Sequence, residues 1–161
     1  MAEIGTDIEK ARAFLIAGEL VAIPTETVYG LAGNALNISS VAKIFEVKGR
    51  PQFDPLIIHV PEFASVEAYV TMIPEKAKLL AEKFWPGPLT LLFEKKSVVN
   101  DLVTSGLNTV GIRCPDHPLT HDLLKSIPFP LAAPSANPFG YVSPHALNTL
   151  KNSLEPKSLI F

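Results

Sequence analysis

The sequence predicts an α/β (α+β) fold built on a mixed sheet. Short apolar runs of strand length alternate irregularly with longer stretches whose apolar residues recur at the helical period. Hydrophobic residues make up 47% and charged residues 19% of the 161 residues, which is typical of a globular protein with a substantial core. We therefore expect one domain over residues 1–161.

The first third of the chain predicts a helix, two strands and a second helix. The first helix covers residues 6–19, with Thr6 as its N-cap, Glu9 completing a capping box and Gly18 ending it. Apolar runs predict strands at 20–24 and 31–36, joined by a polar turn at 25–30. The second helix, at 39–49, has Ser39 or Ser40 as its cap and Gly49 as its end.

The remaining elements follow from the same patterns. Apolar runs predict strands at 56–60, 88–95, 109–114, 130–134 and 158–161. Helical periodicity predicts helices at 74–86 with Pro74 at the start, at 116–127 capped by Asp116, and at 143–154 capped by Ser143.

Composition excludes several classes of function. The net charge of -2 gives no global basic field that would attract nucleic acid. The single cysteine, Cys114, excludes an internal disulfide and indicates a reducing compartment. No apolar run reaches the roughly 18 residues that a membrane helix needs, and the N-terminus lacks the apolar core of a signal peptide. We expect a cytoplasmic protein with no membrane association.

The stretch KGRP, at 48–51, has two interpretations. Lys48 and Arg50 follow a predicted helix, where cations interact favourably with the C-terminal dipole. The same residues could bind phosphate, since Arg offers a bidentate fork, Lys a point charge and Gly49 a close backbone approach. The Walker and dinucleotide-binding glycine patterns are both absent.

Two polar loops follow predicted strands. APSAN, at 133–137, offers Ser135 and Asn137 either as ordinary turn residues or as ligands for a phosphate or ribose. PTETVYG, at 24–30, is either a capped turn or the rim of a pocket for a small polar substrate. Ser135 lacks the Gly-x-Ser-x-Gly context of a nucleophile.

Other chemistry-bearing residues favour structural roles. A lone strand histidine such as His59 is more often structural than a ligand. Cys114, His117 and His121 lack the acidic residue or second cysteine pair of a zinc site. FWPGPLTLLF, at 84–93, is typical of core and turn.

Five stretches together carry a resemblance. IPTETVYGL, KGRP followed by PLIIHV, FWPGPLTLL, VGIRCPDHP and APSAN occur in this order. The chain thereby resembles the threonylcarbamoyl-adenylate synthases, the YrdC-type domain, over about residues 8–161. The resemblance implies a twisted mixed sheet wrapped by helices, with a concave basic cavity.

The resemblance also implies a reaction. The family makes L-threonylcarbamoyladenylate and pyrophosphate from L-threonine, bicarbonate and ATP, with Mg²⁺. A threonylcarbamoyl-transferase complex then transfers the group to position 37 of tRNAs. Direct contact with tRNA or double-stranded RNA is a further possibility that the fold implies.

The family's site residues carry over by position. The Lys-x-Arg signature, expected to be catalytic, corresponds to Lys48 and Arg50. The ATP ligands correspond to Lys48, Arg50, Asp54, Thr109, Ser135, Asn137 and Ser143. The threonine ligands correspond to Thr27, His59, Arg113 and the backbone of Ala133. No residue is assigned as a metal ligand.

The sequence departs from the family at two places. Asp54 stands where the family usually has a neutral polar residue. The family continues beyond a strand like SLIF with a glycine-rich turn and a Ser-Thr-Val strand, so we expect that the domain lacks its C-terminal end. Two other functions stay open: a double-stranded RNA or tRNA-binding module of the same fold, and a carbamoyl-adenylate-forming domain as in hydrogenase-maturation carbamoyltransferases.

Overall fold

The computed structural model describes residues 3–49, 51, 53–137 and 159–160. Its strands are β1 Glu3–Ile4, β2 Val21–Ile23, β3 Gly30–Asn34, β4 Ile57–His59, β5 Leu91–Glu94, β6 Thr109–Arg113, β7 Leu131–Ala132 and β8 Leu159–Ile160. Its α-helices are α1 Ile8–Ile16, α2 Ile38–Lys48, α3 Glu75–Phe84, α4 Asp101–Thr104 and α5 Pro118–Ser126, with a 3₁₀ helix at Phe63–Ala68.

The described strands form one mixed sheet in the order β1-β8-β2-β3-β7-β4-β6-β5. β8 pairs in parallel with β1 and β2, and β4 pairs in parallel with β6. The other neighbours, β2–β3, β3–β7, β4–β7 and β5–β6, are antiparallel. The prediction of a mixed sheet with helices is confirmed, whereas the single domain over 1–161 stays a prediction.

Apolar residues on both faces of the sheet explain why helices flank it. In β2, Ala22 joins one buried cluster, whereas Val21 and Ile23 join the other. Successive side chains of a strand point to opposite faces, so both faces of β2 are covered. Helix α2 contributes Ile44 to the first cluster, and α1 contributes Leu15 to the second. Burying each such side chain contributes about 1.5–3 kcal/mol.

The capping residue of α1 was predicted one position too early. Asp7 is the N-cap, and its carboxylate accepts a hydrogen bond from the N–H of Lys10 at 3.2 Å. The predicted capping box of Thr6 with Glu9 is therefore wrong, and Glu9 pairs with Arg12 at 3.1 Å instead. The helix ends at Ile16, and Gly18 follows with φ of 80°.

The caps of α2 and α5 also differ from the prediction. Asn37 caps α2 by accepting from the N–H groups of Ser39 and Ser40, so neither serine is the cap. At α5 the N-cap is His117, which makes no side-chain capping bond, and Pro118 occupies the first turn. Asp116 lies outside the helix. Gly49 ends α2 as predicted, in the left-handed region at φ of 58°.

Three described elements were not predicted: β1, the 3₁₀ helix and α4. Each is short, so it carries too few residues for a periodic pattern. Pro74 precedes α3 as its N-cap residue, one position before the helix. The predicted helix at 143–154 lies outside the described residues. Within the described part of the chain, no helix is both long and apolar enough to cross a membrane.

Candidate functional site

A small cavity lies where the parallel strands β4 and β6 end side by side. His59 and Arg113 are the last residues of these strands and are paired in register, so their side chains point to the same face of the sheet. The cavity has a volume of about 120 Å³ and is lined by Thr25, Thr27, Val28, Tyr29, Gly30, Ile57, His59, Arg113, Ala133, Pro134 and Ser135. It is smaller than the cavities that hold drug-sized ligands, so it suits a small polar molecule.

Arg113 is held from three sides. Its Nε donates to the carbonyl oxygen of Gly87 at 3.2 Å. Its Nη2 donates to Oε1 of Glu26 and to Oγ1 of Thr27, the latter at 3.3 Å. Only 13% of the Arg113 side chain is exposed. A guanidinium fixed in this way is suited to bind a carboxylate with defined orientation.

Gly87 brings the FWPGP turn against the end of β6. Its N–H donates to the carbonyl of Cys114 at 2.8 Å, and its carbonyl accepts from Arg113. A Cβ at this position would overlap the carbonyl oxygen of Phe84. The block that we interpreted as core and turn therefore also orients a residue of the cavity.

His59 is buried and is predominantly neutral at neutral pH. Its exposed fraction is 3%, and its Nδ1 has no hydrogen-bond partner among the described residues. Burial, followed by the positive charge of Arg113, lowers the pKa of His59 from 6.5 to about 4. A buried polar atom without a partner is costly unless a ligand or water satisfies it. Because His59 also lines the cavity, its neutral imidazole is a candidate ligand contact.

The two polar loops are joined by backbone hydrogen bonds. Thr25 orders the first loop, because its Oγ1 donates to the carbonyl of Val28 at 2.6 Å and shares a hydrogen bond with Thr27 at 3.0 Å. Gly30 forms an isolated bridge with Ser135, and the N–H of Ala136 donates to the carbonyl of Tyr29 at 2.8 Å. Together they form one wall of the cavity.

Lys48 connects the KGRP block to the APSAN loop. Its ammonium donates to the main-chain carbonyls of Ser135 and Asn137, and the residue is 4% exposed. Through these contacts Lys48 holds the loop in place. Its predicted contact with ATP stays a prediction, as does that of Asn137, which is 7% exposed.

The remaining predicted ligands differ in their position relative to the cavity. Thr109 lies on the same face of β6 as Arg113, about 13 Å away at roughly 3.3 Å per residue, so both could contact one extended ligand. Asp54 lies in the turn before β4 and is not among the cavity-lining residues. Arg50 and Ser143 lie outside the described residues. Ala133 lines the cavity, and its N–H donates to Ile57 at 3.2 Å.

The cysteine and the histidines of the C-terminal half do not form a metal centre in the described part of the chain. The thiol of Cys114 donates to the carbonyl of Pro61 at 3.3 Å, and Nε2 of His121 lies 2.7 Å from the same oxygen. Among the described residues, no group of three His, Cys, Asp or Glu side chains is placed to hold a metal.

Sequence reasoning gave no role to Glu26 and Gly87. Glu26 was noted only as part of a polar loop, and Gly87 only as part of a turn. Their partners, Arg113 and Cys114, are distant in sequence, so no local spacing could reveal these contacts. Their position inside two of the five sequence blocks was the one available signal.

Comparisons with known proteins match most of the chain. A family model, Sua5_yciO_yrdC, described as telomere recombination, matches residues 13–161. The threonylcarbamoyl-AMP synthase of Pyrococcus abyssi is 50% identical over 137 residues, covering 85% of this chain and 40% of that protein. The threonylcarbamoyl-AMP synthase of Bacillus subtilis is 47% identical over 149 residues, covering 92% of this chain and 43% of that protein.

A solved structure gives the same result. The structure of Pyrococcus abyssi Sua5 complexed with L-threonine matches with a TM-score of 0.91 and 45% identity, over 95% of this chain and 46% of that chain. This chain thus spans about two fifths of the length of the curated relatives described above. The family match and these identities agree with the order of the five sequence blocks, and the chain belongs to the Sua5/YciO/YrdC family.

Proposed function

We propose that this chain carries the adenylate-forming site of a threonylcarbamoyl-AMP synthase, which makes L-threonylcarbamoyladenylate and pyrophosphate from L-threonine, bicarbonate and ATP. One observation carries the proposal: four of the five sequence blocks contribute residues that line one cavity, including His59 and Arg113, and the fifth contacts Arg113 through Gly87. The Pyrococcus abyssi relative was solved with L-threonine, which supports an amino acid as the ligand.

The cavity suits the amino acid in size and chemistry. Arg113 offers a guanidinium for the carboxylate, and the hydroxyl of Thr27 lies beside it. His59, neutral at physiological pH, lines the cavity and offers its imidazole to one polar group of the ligand. The N–H of Ala133 is already used by Ile57, so we expect its carbonyl oxygen to face the ligand.

ATP needs more room than the cavity offers. We infer that the α-phosphate of ATP lies next to Ser135. The rest of the nucleotide would then extend along the face of β6 that carries Thr109. Arg50, Asp54, Asn137 and Ser143 stay proposed ATP ligands, with Lys48 as the support of the loop.

The reaction needs positioning and charge neutralisation more than a protein nucleophile. The neutral amine of threonine attacks bicarbonate-derived carbon dioxide and gives an N-carboxylate. This carboxylate attacks the α-phosphate, and pyrophosphate leaves. Fixed cationic donors stabilise the charge that develops in such a transfer. Arg113 fixes the amino acid, while the ordered Ser135–Asn137 loop shapes the approach of the phosphate.

Mg²⁺ would come with the nucleotide. In the described part of the chain no acidic cluster offers it a ready set of ligands, and Mg²⁺ commonly binds through substrate phosphates and one or two carboxylates. When bound, it would neutralise phosphate charge. We propose a threonylcarbamoyl-transferase complex as the downstream partner, tRNA contact as a secondary interaction and the cytoplasm as the location.

The test is pyrophosphate release by this chain, with Mg²⁺ and ATP, in the presence and absence of L-threonine and bicarbonate. Release that requires both substrates would support the synthase. Release that needs a carbamoyl donor in place of L-threonine and bicarbonate would instead favour the carbamoyl-adenylate-forming alternative. Tight, salt-sensitive tRNA binding without turnover would favour the RNA-binding alternative. The Bacillus subtilis relative serves as the positive control.

Arg113→Lys makes the test specific to the site. Lysine keeps the charge but loses the planar fork, so we expect the KM for L-threonine to rise about 10-fold or more. The matched control is Arg12→Lys, because Arg12 is a helix-surface arginine whose side chain is 42% exposed. An equal effect of both substitutions would contradict the proposed ligand role of Arg113.

A further inference from the structure

The side chain of Glu26 uses both carboxylate oxygens within the protein. Oε1 accepts from Nη2 of Arg113, and Oε2 accepts from the N–H of Asp116 at 3.1 Å. Glu26 thus ties the first polar loop both to the end of β6 and to the connection that leads into α5. A carboxylate held at both oxygens has little freedom to swing away.

The Glu26–Arg113 pair is sheltered from solvent. The two side chains are 21% and 13% exposed. By comparison, the Glu9–Arg12 pair on α1 has side chains 75% and 42% exposed. Solvent screens a surface pair strongly and a sheltered pair much less, so the contact with Glu26 constrains Arg113 far more than the surface pair constrains Arg12.

Glu26 contacts the cavity residue Arg113 but does not itself line the cavity. Arg113 and Thr27 line the cavity, whereas Glu26 is not among its lining residues. Gly87 on Nε and Glu26 on Nη2 hold two of the three guanidinium nitrogens. The plane of the guanidinium is then fixed, and Nη1 is the nitrogen that we expect to face a ligand.

We propose that Glu26 is a positioning residue that fixes the Arg113 guanidinium for the carboxylate of the amino-acid substrate. It sets the affinity for the amino acid without touching it. The effect on substrate affinity rests on the proposed function, whereas the ordering of Arg113 does not. Two independent readouts therefore test the ordering of Arg113 and the effect on substrate affinity separately.

The first readout is the Nε–H resonance of Arg113 in an NMR spectrum of the ¹⁵N-labelled chain, assigned by its loss in Arg113→Lys. In the wild type we expect a sharp signal that exchanges slowly with solvent. Glu26→Gln keeps the size of the side chain but removes its charge, so we expect the signal to broaden and to exchange faster. Glu26→Asp should restore it in part. Glu9→Gln removes an exposed carboxylate and should leave it unchanged.

The second readout is kinetic. For Glu26→Gln we expect the KM for L-threonine to rise about 10-fold, with kcat and the KM for ATP within about twofold of the wild type. Glu26→Asp should recover part of the affinity. An equal rise in both KM values together with a lower melting temperature would overturn the proposal, because it would indicate general structural support.

The outcomes are distinguishable. If the wild type needs threonine for turnover but Glu26→Gln matches it in both readouts, the positioning role is wrong and the proposed function stands. If the wild type neither binds nor uses L-threonine while Glu26→Gln still loosens Arg113, the ordering role stands. The substrate assignment and its link to Glu26 are then wrong.

Discussion

The ammonium group of Lys48 donates a hydrogen bond to the main-chain carbonyl of Ser135, which lies 87 residues further along the chain. A second bond from the same group reaches the carbonyl of Asn137. Lys48 is the last residue of α2, and the other two belong to the loop after β7. A charged donor that is almost fully buried thereby joins two of the five sequence blocks.

The first prediction concerns Lys48→Met. The substitution removes a charged donor from two carbonyl oxygens, so we expect the free energy of unfolding to fall by about 1–3 kcal/mol. L-threonine binding should also weaken, because the loop forms a wall of the cavity. Chemical denaturation and calorimetric titration measure the two effects.

Lys43→Met is the matched control. Lys43 lies on the same helix and donates to the carbonyl of Gly18 at 3.0 Å and to Glu19 at 2.9 Å. These lysine and glutamate side chains are 38% and 40% exposed, so the loss should stay below about 1 kcal/mol. Equal destabilisation by the two substitutions would argue against a special role of Lys48.

The second prediction concerns the protonation of His59. Its pKa is lowered to about 4, first by burial and then by Arg113. Between about pH 6.5 and pH 4 the unfolded chain binds a proton that the folded chain does not. The free energy of unfolding should therefore fall as the pH drops through this window, by an amount on the order of 3 kcal/mol.

An NMR titration measures this directly. The imidazole signal of His59, identified by its absence in His59→Gln, should titrate near pH 4 and not near its ordinary value. Denaturation of the same variant should show a smaller loss of stability between pH 6.5 and 4 than the wild type. A midpoint close to 6.5 would contradict the burial of the His59 imidazole.

The third prediction concerns Gly87→Ala. The added methyl group would overlap the carbonyl oxygen of Phe84, so the turn must shift and carry the Gly87 carbonyl away from Arg113. We expect destabilisation of about 1–3 kcal/mol together with weaker L-threonine binding. Gly5→Ala is the control, because the nearest atom to its added Cβ is 4.0 Å away. Wild-type affinity in Gly87→Ala would show that the Gly87–Arg113 bond is dispensable.

The fourth prediction concerns the thiol of Cys114. Burial, followed by the charges of Asp116, Glu26 and Glu62, raises its pKa to about 11. Since the thiolate is the reactive form, we expect very slow reaction with a thiol reagent at pH 8 in the folded protein. Unfolding in guanidinium should make one thiol per chain react rapidly. Rapid stoichiometric labelling of the native protein would contradict this prediction.

Helix ends show where local sequence information was insufficient. Thr6, Ser39 and Asp116 were all plausible caps by residue type, yet Asp7, Asn37 and His117 occupy the N-cap positions. Several adjacent residues could cap each helix equally well. Tertiary contacts of the helix then set the register, as Ser40 shows by donating to the carbonyl of Gly18 at 3.1 Å while fully buried.

The sequence by itself determined the mixed sheet with flanking helices, most of its longer elements and the family, because hydrophobic period and ordered blocks are local properties of the chain. The family resemblance also named Thr27, His59, Arg113, Ala133 and Ser135, which the structure places in the lining of the cavity. Only the tertiary structure decided how these residues are held. The Glu26–Arg113 and Lys48–Ser135 contacts join residues 87 positions apart, and such contacts depend on strand order and register, which no local pattern encodes.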